Sequence, residues 1–180
     1  MNALVPLVVL IPLLSAAAAL VFGRSRTAQR VIAIAALAAV FLIGSALVVL
    51  VDSGPLVMEV GGWQAPFGIV LVVDRLSALM VAVSALVLLA VLIFSVGQGL
   101  ADGDDETPVS IFFPTYLILG AGVFTAFIAG DLFNLYVGFE ILLVASYVLM
   151  TLGGTTERIR AGTTYIVVSL VSSVLFLASI

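Results

Sequence analysis

Gly130-Asp-Leu-Phe-Asn-Leu-Tyr-Val-Gly-Phe-Glu-Ile-Leu-Leu-Val-Ala-Ser-Tyr-Val-Leu149 is a continuous, mostly apolar run with two carboxyl side chains, Asp131 at its start and Glu140 in its interior. A helix needs about 20 mostly apolar residues to cross roughly 30 Å of hydrocarbon. The run meets that length, so it reads as a membrane span. Five other stretches share its character: Ala3–Gly23, Gln29–Val51, Leu76–Gly97, Ser110–Gly130 and Ala161–Ile180, with the opening run extending over Asp131–Thr151.

Composition agrees. The hydrophobic fraction is 64% and the charged fraction 9%, with a mean hydropathy of +1.41. Soluble domains carry about 25% charged residues, so a soluble fold would lack polar side chains to cover its surface. The reading is an all-α integral membrane protein of about six transmembrane helices. Residues 1–53 form two N-terminal helices, 54–75 an outer-side interfacial loop or hairpin, and 76–180 helices 3–6. Within 54–75, Gly61, Gly62, Pro66 and Gly68 surround Trp63, which is turn punctuation with an aromatic anchor for the headgroup level.

Absences narrow the chemistry. All six basic residues are arginine, and there is no Cys or His. Disulfides, cysteine-held iron–sulfur clusters and histidine-ligated haem have no ligands in these 180 residues. Histidine zinc sites and Ser-His-Asp triads have none either. No cofactor or metal is expected. No basic patch with interleaved aromatics is present, so nucleic acid is not an expected partner.

Arg24, Arg26 and Arg30 follow the first apolar stretch instead of preceding it, the reverse of a secretory signal. With Arg158 and Arg160 in the loop between helices 5 and 6, five of the six arginines fall on one side. The positive-inside rule makes that side cytoplasmic and the N-terminus external. Arg75, at the start of helix 3, is the outer one, where Asp74-Arg75 reads as a local ion pair or cap. The acidic loop Ala101–Glu106 is cytoplasmic on the same model.

Glu140 is the one ionisable residue deep in a span. It lies nine residues past Asp131, about 13 Å at 1.5 Å per residue. Charged groups at such depth mark proton or ion pathways by default. Hydrocarbon favours a neutral carboxyl and a nearby cation favours the charged form, so a carboxyl between those pulls can load and release a proton. The competing reading is a permanently protonated acid making one interhelical bond. Tyr136 and Tyr147 lie toward the same helix face. Asp131 reads as a cap of helix 5 or a residue at a pathway mouth, and Asn134 as an interhelical bond or plain packing. Tyr165, Ser169, Ser172 and Ser173 form one stripe on helix 6, a hydrogen-bond relay or helix–helix glue. Gly122, Ala126 and Gly130 make a small-residue ridge on helix 4, suited to close packing. Pro6, Pro12 and Pro114 carry no specific signal.

Read as a whole, Gly130–Leu149 resembles helix 5 of the D-subunit family of Mrp-type multisubunit Na+/H+ antiporters. Gly61-Gly-Trp-Gln-Ala-Pro-Phe-Gly-Ile-Val, Asp74-Arg-Leu-Ser-Ala-Leu-Met and Ser169-Leu-Val-Ser-Ser-Val-Leu-Phe-Leu support the likeness. The resemblance implies a bundle of about fourteen helices with inverted repeats, of which this chain is the N-terminal part. It implies that Glu140 pairs with a lysine of a helix 7, beyond residue 180. Relatives usually carry a bulky aromatic where this chain has Gly138, so looser packing is expected there. The chain stops within the sixth apolar stretch, which points to a piece of a longer protein.

The expected function is proton translocation in a multisubunit Na+ (or other monovalent cation)/proton antiporter of the bacterial plasma membrane. Glu140 is the proton carrier; Tyr136, Tyr147, Asn134, Asp131, Ser169 and Ser173 are supporting residues. Partners are protons, Na+, the lipid bilayer and other membrane subunits. The chain is expected to be a transporter component, not an enzyme. The alternative is a proton-pumping membrane-arm component of a complex I-like NADH dehydrogenase or membrane-bound hydrogenase. A shortened structural component is a third reading.

Overall fold

A computed structural model describes residues 3–63, 68–99, 103–104, 107–108, 111–152 and 156–179. Residues 64–67 of the Gly-Gly-Trp stretch, most of the acidic loop and Ile180 lie outside the described residues. Six helices carry the apolar stretches: α1 Leu4–Val21, α2 Arg26–Leu50, α3 Arg75–Gly97, α4 Phe112–Ile128, α5 Leu132–Thr151 and α6 Thr156–Ser179. Five have a span long and apolar enough to cross a membrane, and α4, with 17 residues, is the shorter one.

The local chemistry explains the ends. Ser25 caps α2 by accepting the Ala28 N–H at 3.3 Å. The Asp74 carboxylate caps α3 by accepting the Ser77 N–H at 2.7 Å. That bond, with the Ser77 hydroxyl second, holds the Asp74 carboxyl below its ordinary range. Arg75 does not pair with Asp74; it bonds Asp52 at 2.8 Å across the α2–α3 connection. Cap and ion pair are thus two separate contacts. The last turn of α1 leaves carbonyls without helical partners. Buried Gln29 answers one of them, donating Nε2–H to the Ala19 carbonyl at 2.9 Å.

α4 is the centre of the bundle. Eleven of its 17 residues are buried, among them Phe113, Leu117, Phe124 and Ile128, against five of 23 in α3. It packs on α5, α1, α3 and α2, while α6 packs chiefly on α5. The Tyr116 hydroxyl donates to the Leu88 carbonyl at 2.8 Å and ties α4 to α3. On the outside, Leu14, Leu42, Val49 and Phe94 are 63–71% exposed. An apolar exterior of this kind fits hydrocarbon and not water. The chain is a multi-pass membrane protein.

Two spans differ from their sequence reading. α4 ends at Ile128 and not Gly130, because Ala129 forms a bridge with Leu71 and the Gly130 N–H donates to the Val70 carbonyl at 2.8 Å. α6 starts at Thr156, five residues earlier than expected, so Arg158 and Arg160 belong to its first turns and not to a loop. Between α2 and α3, β1 Leu56–Glu59 and β2 Val70–Val73 pair antiparallel with Leu56 opposite Val73 and Glu59 opposite Val70. A second short pair, β3 Gly103–Asp104 and β4 Thr107–Pro108, lies between α3 and α4.

The expectation of loose packing at Gly138 is wrong. A Cβ built there would lie 2.9 Å from the Ala126 backbone nitrogen, and one on Gly122 would lie 2.7 Å from the Leu142 nitrogen. Here α4 and α5 meet backbone to backbone, as small residues permit in membranes. Gly138→Leu should therefore destabilise the fold by about 1–3 kcal/mol, the usual cost of overpacking. Heating detergent-extracted protein and following its elution profile checks this; an unchanged melting temperature would contradict the close contact.

Candidate functional site

α5 has two working faces, set by its 3.6-residue period. Asn134, Gly138 and Ala145 are buried, and Gly138 abuts α4. Glu140, Leu143 and Tyr147 point elsewhere, into a groove of about 340 Å³ between α5 and α6. Its walls are chiefly apolar side chains, with Glu140, two tyrosines and two serines among them.

α6 supplies the opposite wall. Tyr165, Ser169 and Ser173, spaced four residues apart, all line the groove. Near its start Gly162 lies against Thr151 and Tyr147, where a Cβ would sit 2.5 Å from Thr151 Cγ2. At the other end Phe176 stacks on Tyr136, ring centroids 6.2 Å apart, and meets Phe139 edge-on at 6.4 Å. These contacts fix an antiparallel register in which Ser173 falls level with Glu140. Aromatic rings stack at the end of the α5–α6 interface nearer the hairpin.

Two polar atoms in this groove are buried without a hydrogen-bond partner among the described residues, Glu140 Oε1 and Ser173 Oγ. Leaving such groups unpaired costs about 1–3 kcal/mol each. Both atoms are closed off from the space of the groove, whose lining is chiefly apolar, so their bonding capacity is unmet in this arrangement. The other serine of the stripe, Ser172, is exposed and bonds its own helix at the Val168 carbonyl, 2.9 Å.

The sequence-derived candidates thus separate. Glu140, Tyr147, Ser169 and Ser173 share the groove, and Tyr136 stacks just above it. Asn134 is buried with its Nδ2 unpartnered among the described residues and does not line the groove. Asp131 is at the helix end, where its carboxylate accepts the Asn134 N–H at 2.6 Å and the Val70 N–H at 3.1 Å. Sequence reasoning missed Phe176, Phe139 and Gly162. Phe176 continues the Tyr165–Ser169–Ser173 stripe by three residues, a signal that was present but apolar.

Ser173→Ala removes a buried hydroxyl with no partner among the described residues, so it should leave the melting temperature unchanged or slightly higher. A fall equivalent to about 1 kcal/mol or more would mean that a partner holds the hydroxyl.

Several known proteins are similar to this chain in sequence or fold. Residues 129–180 match a family model described as NADH:quinone oxidoreductase/Mrp antiporter, TM. The chain is 40% identical over 181 residues to the D subunit of the Na(+)/H(+) antiporter of Alkalihalophilus pseudofirmus, covering 100% of this chain and 36% of that one. The Mrp complex from Dietzia sp. contains a chain that matches with a TM-score of 0.85 and 31% identity, over 99% of this chain and 34% of its own length. The membrane-bound sulfane sulfur reductase, an archaeal respiratory membrane complex, contains one that matches with a TM-score of 0.87 and 27% identity, over 99% and 36%. The chain spans about a third of the length of the relatives it matches.

Proposed function

We propose that this chain, which is similar in sequence to a Na(+)/H(+) antiporter D subunit and in fold to a chain of an Mrp complex, carries a proton-loading site of a multisubunit monovalent cation/proton antiporter. The observation that supports this most directly is Glu140, a mid-span carboxyl with one oxygen buried and unpaired among the described residues, in a groove lined by Tyr147, Ser169 and Ser173.

In this reading Glu140 alternates between two states. With a cation close by, the carboxylate is the favoured form. When that ion pair separates, hydrocarbon favours the neutral acid and the carboxyl takes up a proton. The cation is a lysine from outside these 180 residues, as the family resemblance implies. Tyr147, Ser169 and Ser173 line the route by which the proton reaches and leaves Glu140. Na+ exchange takes place with other membrane subunits of the complex. The chain sits in the bacterial plasma membrane with its N-terminus outside, because Arg24, Arg26, Arg30, Arg158 and Arg160 lie toward one end of the bundle. It acts as a transporter component, not as an enzyme.

A second reading is a membrane-arm component of a redox-driven pump, favoured by the likeness to the respiratory reductase. The higher identities, 40% and 31% against 27%, favour antiport.

The test is Glu140→Gln in the full complex. In everted vesicles, the cation-induced pH change should fall by about 100-fold or more, the scale for loss of a proton-transferring side chain, with complex abundance unchanged. Wild-type exchange in that variant would overturn the role of Glu140. Flavin or iron–sulfur absorbance in the purified wild-type complex would instead support the redox-driven reading.

A further inference from the structure

Asp131 has more contacts than a helix cap requires. One carboxylate oxygen accepts the Asn134 N–H at 2.6 Å, which is the ordinary capping bond. The other accepts the Val70 N–H at 3.1 Å, from a strand 61 residues earlier in the chain. Ser, Thr or Asn would supply the first bond equally well. The second needs another acceptor on the same side chain.

That second bond is part of a seam. The Gly130 N–H donates to the Val70 carbonyl at 2.8 Å, and Leu71 bridges to Ala129. A Cβ on Gly130 would lie 2.6 Å from Val72 Cγ2, so strand and turn are in direct contact. The β1–β2 hairpin is therefore stitched to the start of α5, and the Asp131 carboxylate makes the side-chain bond of that seam.

The seam bears on Glu140. Glu140 Oε1 has no protein partner among the described residues, so the helix backbone sets the position of the carboxyl. The α4–α5 crossing at Gly122, Ala126 and Gly138 is smooth. It brings the two backbones together at mid-span, away from the end where α5 meets the hairpin. The α6 contacts set Glu140 against Ser173, and the seam ties the start of α5, nine residues before Glu140, to the hairpin.

We propose that Asp131 is a positioning residue, a latch that joins the outer hairpin to α5 and sets the height of Glu140 in its groove. This rests on the reading of Glu140 given above. The two carry separate tests, because the latch is measurable without transport.

Asp131→Asn distinguishes latch from cap. Asparagine keeps one acceptor and remains a good cap, but its amide presents N–H groups where the Val70 N–H needs an oxygen. In the full complex, amide exchange in peptides covering 68–73 and 131–140 should become about three- to tenfold faster, the scale for loss of one bond. The pH profile of cation-driven exchange should shift at unchanged complex abundance. Val70→Pro deletes the donor and leaves the carboxylate intact; it should speed exchange over 131–140 and move the pH profile in the same direction. Wild-type exchange over 131–140 in both variants would overturn the latch, whatever Glu140→Gln does to transport. Faster amide exchange with an unmoved pH profile would leave a structural tie and overturn the positioning role.

Discussion

The backbone contact between α4 and α5 is the constraint on which the rest of this molecule depends. Gly122, Ala126 and Gly138 remove the side chains that normally keep helix axes apart. Because α4 is enclosed by its neighbours, the face of α5 that touches it is no longer a choice. Every other residue of α5 then takes its direction from the helical period, and Glu140 is turned toward α6. A bulky residue at 138 would have to be accommodated by moving one helix, and the groove would move with it.

The polar groups follow a consistent logic around that contact. Near the helix ends they are paired: Gln29 with the Ala19 carbonyl, Asp74 with the Ser77 amide, Arg75 with Asp52. Thr125 and Tyr116, inside the bundle, bond carbonyls of α4 and α3. The unpaired ones among the described residues, at Glu140, Ser173 and Asn134, are on α5 and α6. Unsatisfied polar atoms in an otherwise satisfied interior mark function more than construction.

Much of this is legible in the sequence, for physical reasons that also explain the misses. Hydrocarbon demands long apolar runs, so the spans read directly from composition, and a single deep carboxyl singles out Glu140. The stripe Tyr165–Ser169–Ser173 is readable from spacing, though not which helix it faces. Properties that depend on two distant residues are not readable. Gly138 looks like lost packing because its counterpart, Gly122, is on another helix. Arg75 has Asp74 beside it in sequence, while its partner, Asp52, lies across a connection. Arg158 and Arg160 suggest a loop only if charge is taken as a span boundary, although the first turns of a membrane helix sit at headgroup level and tolerate it. The second bond of Asp131 joins residues 61 apart and leaves no local trace.

The bridge between Leu71 and Ala129 has a consequence for how the protein is made. The hairpin emerges during synthesis well before the turn it docks against. Its outer edge stays without that partner until α3 and α4 have both been inserted and the start of α5 has been translated. Such a long sequence separation makes docking a late step, after local helices have formed. Closure of this seam therefore comes only after the segments of α3 and α4 have been made, and it ties the hairpin to a part of the chain that is completed late.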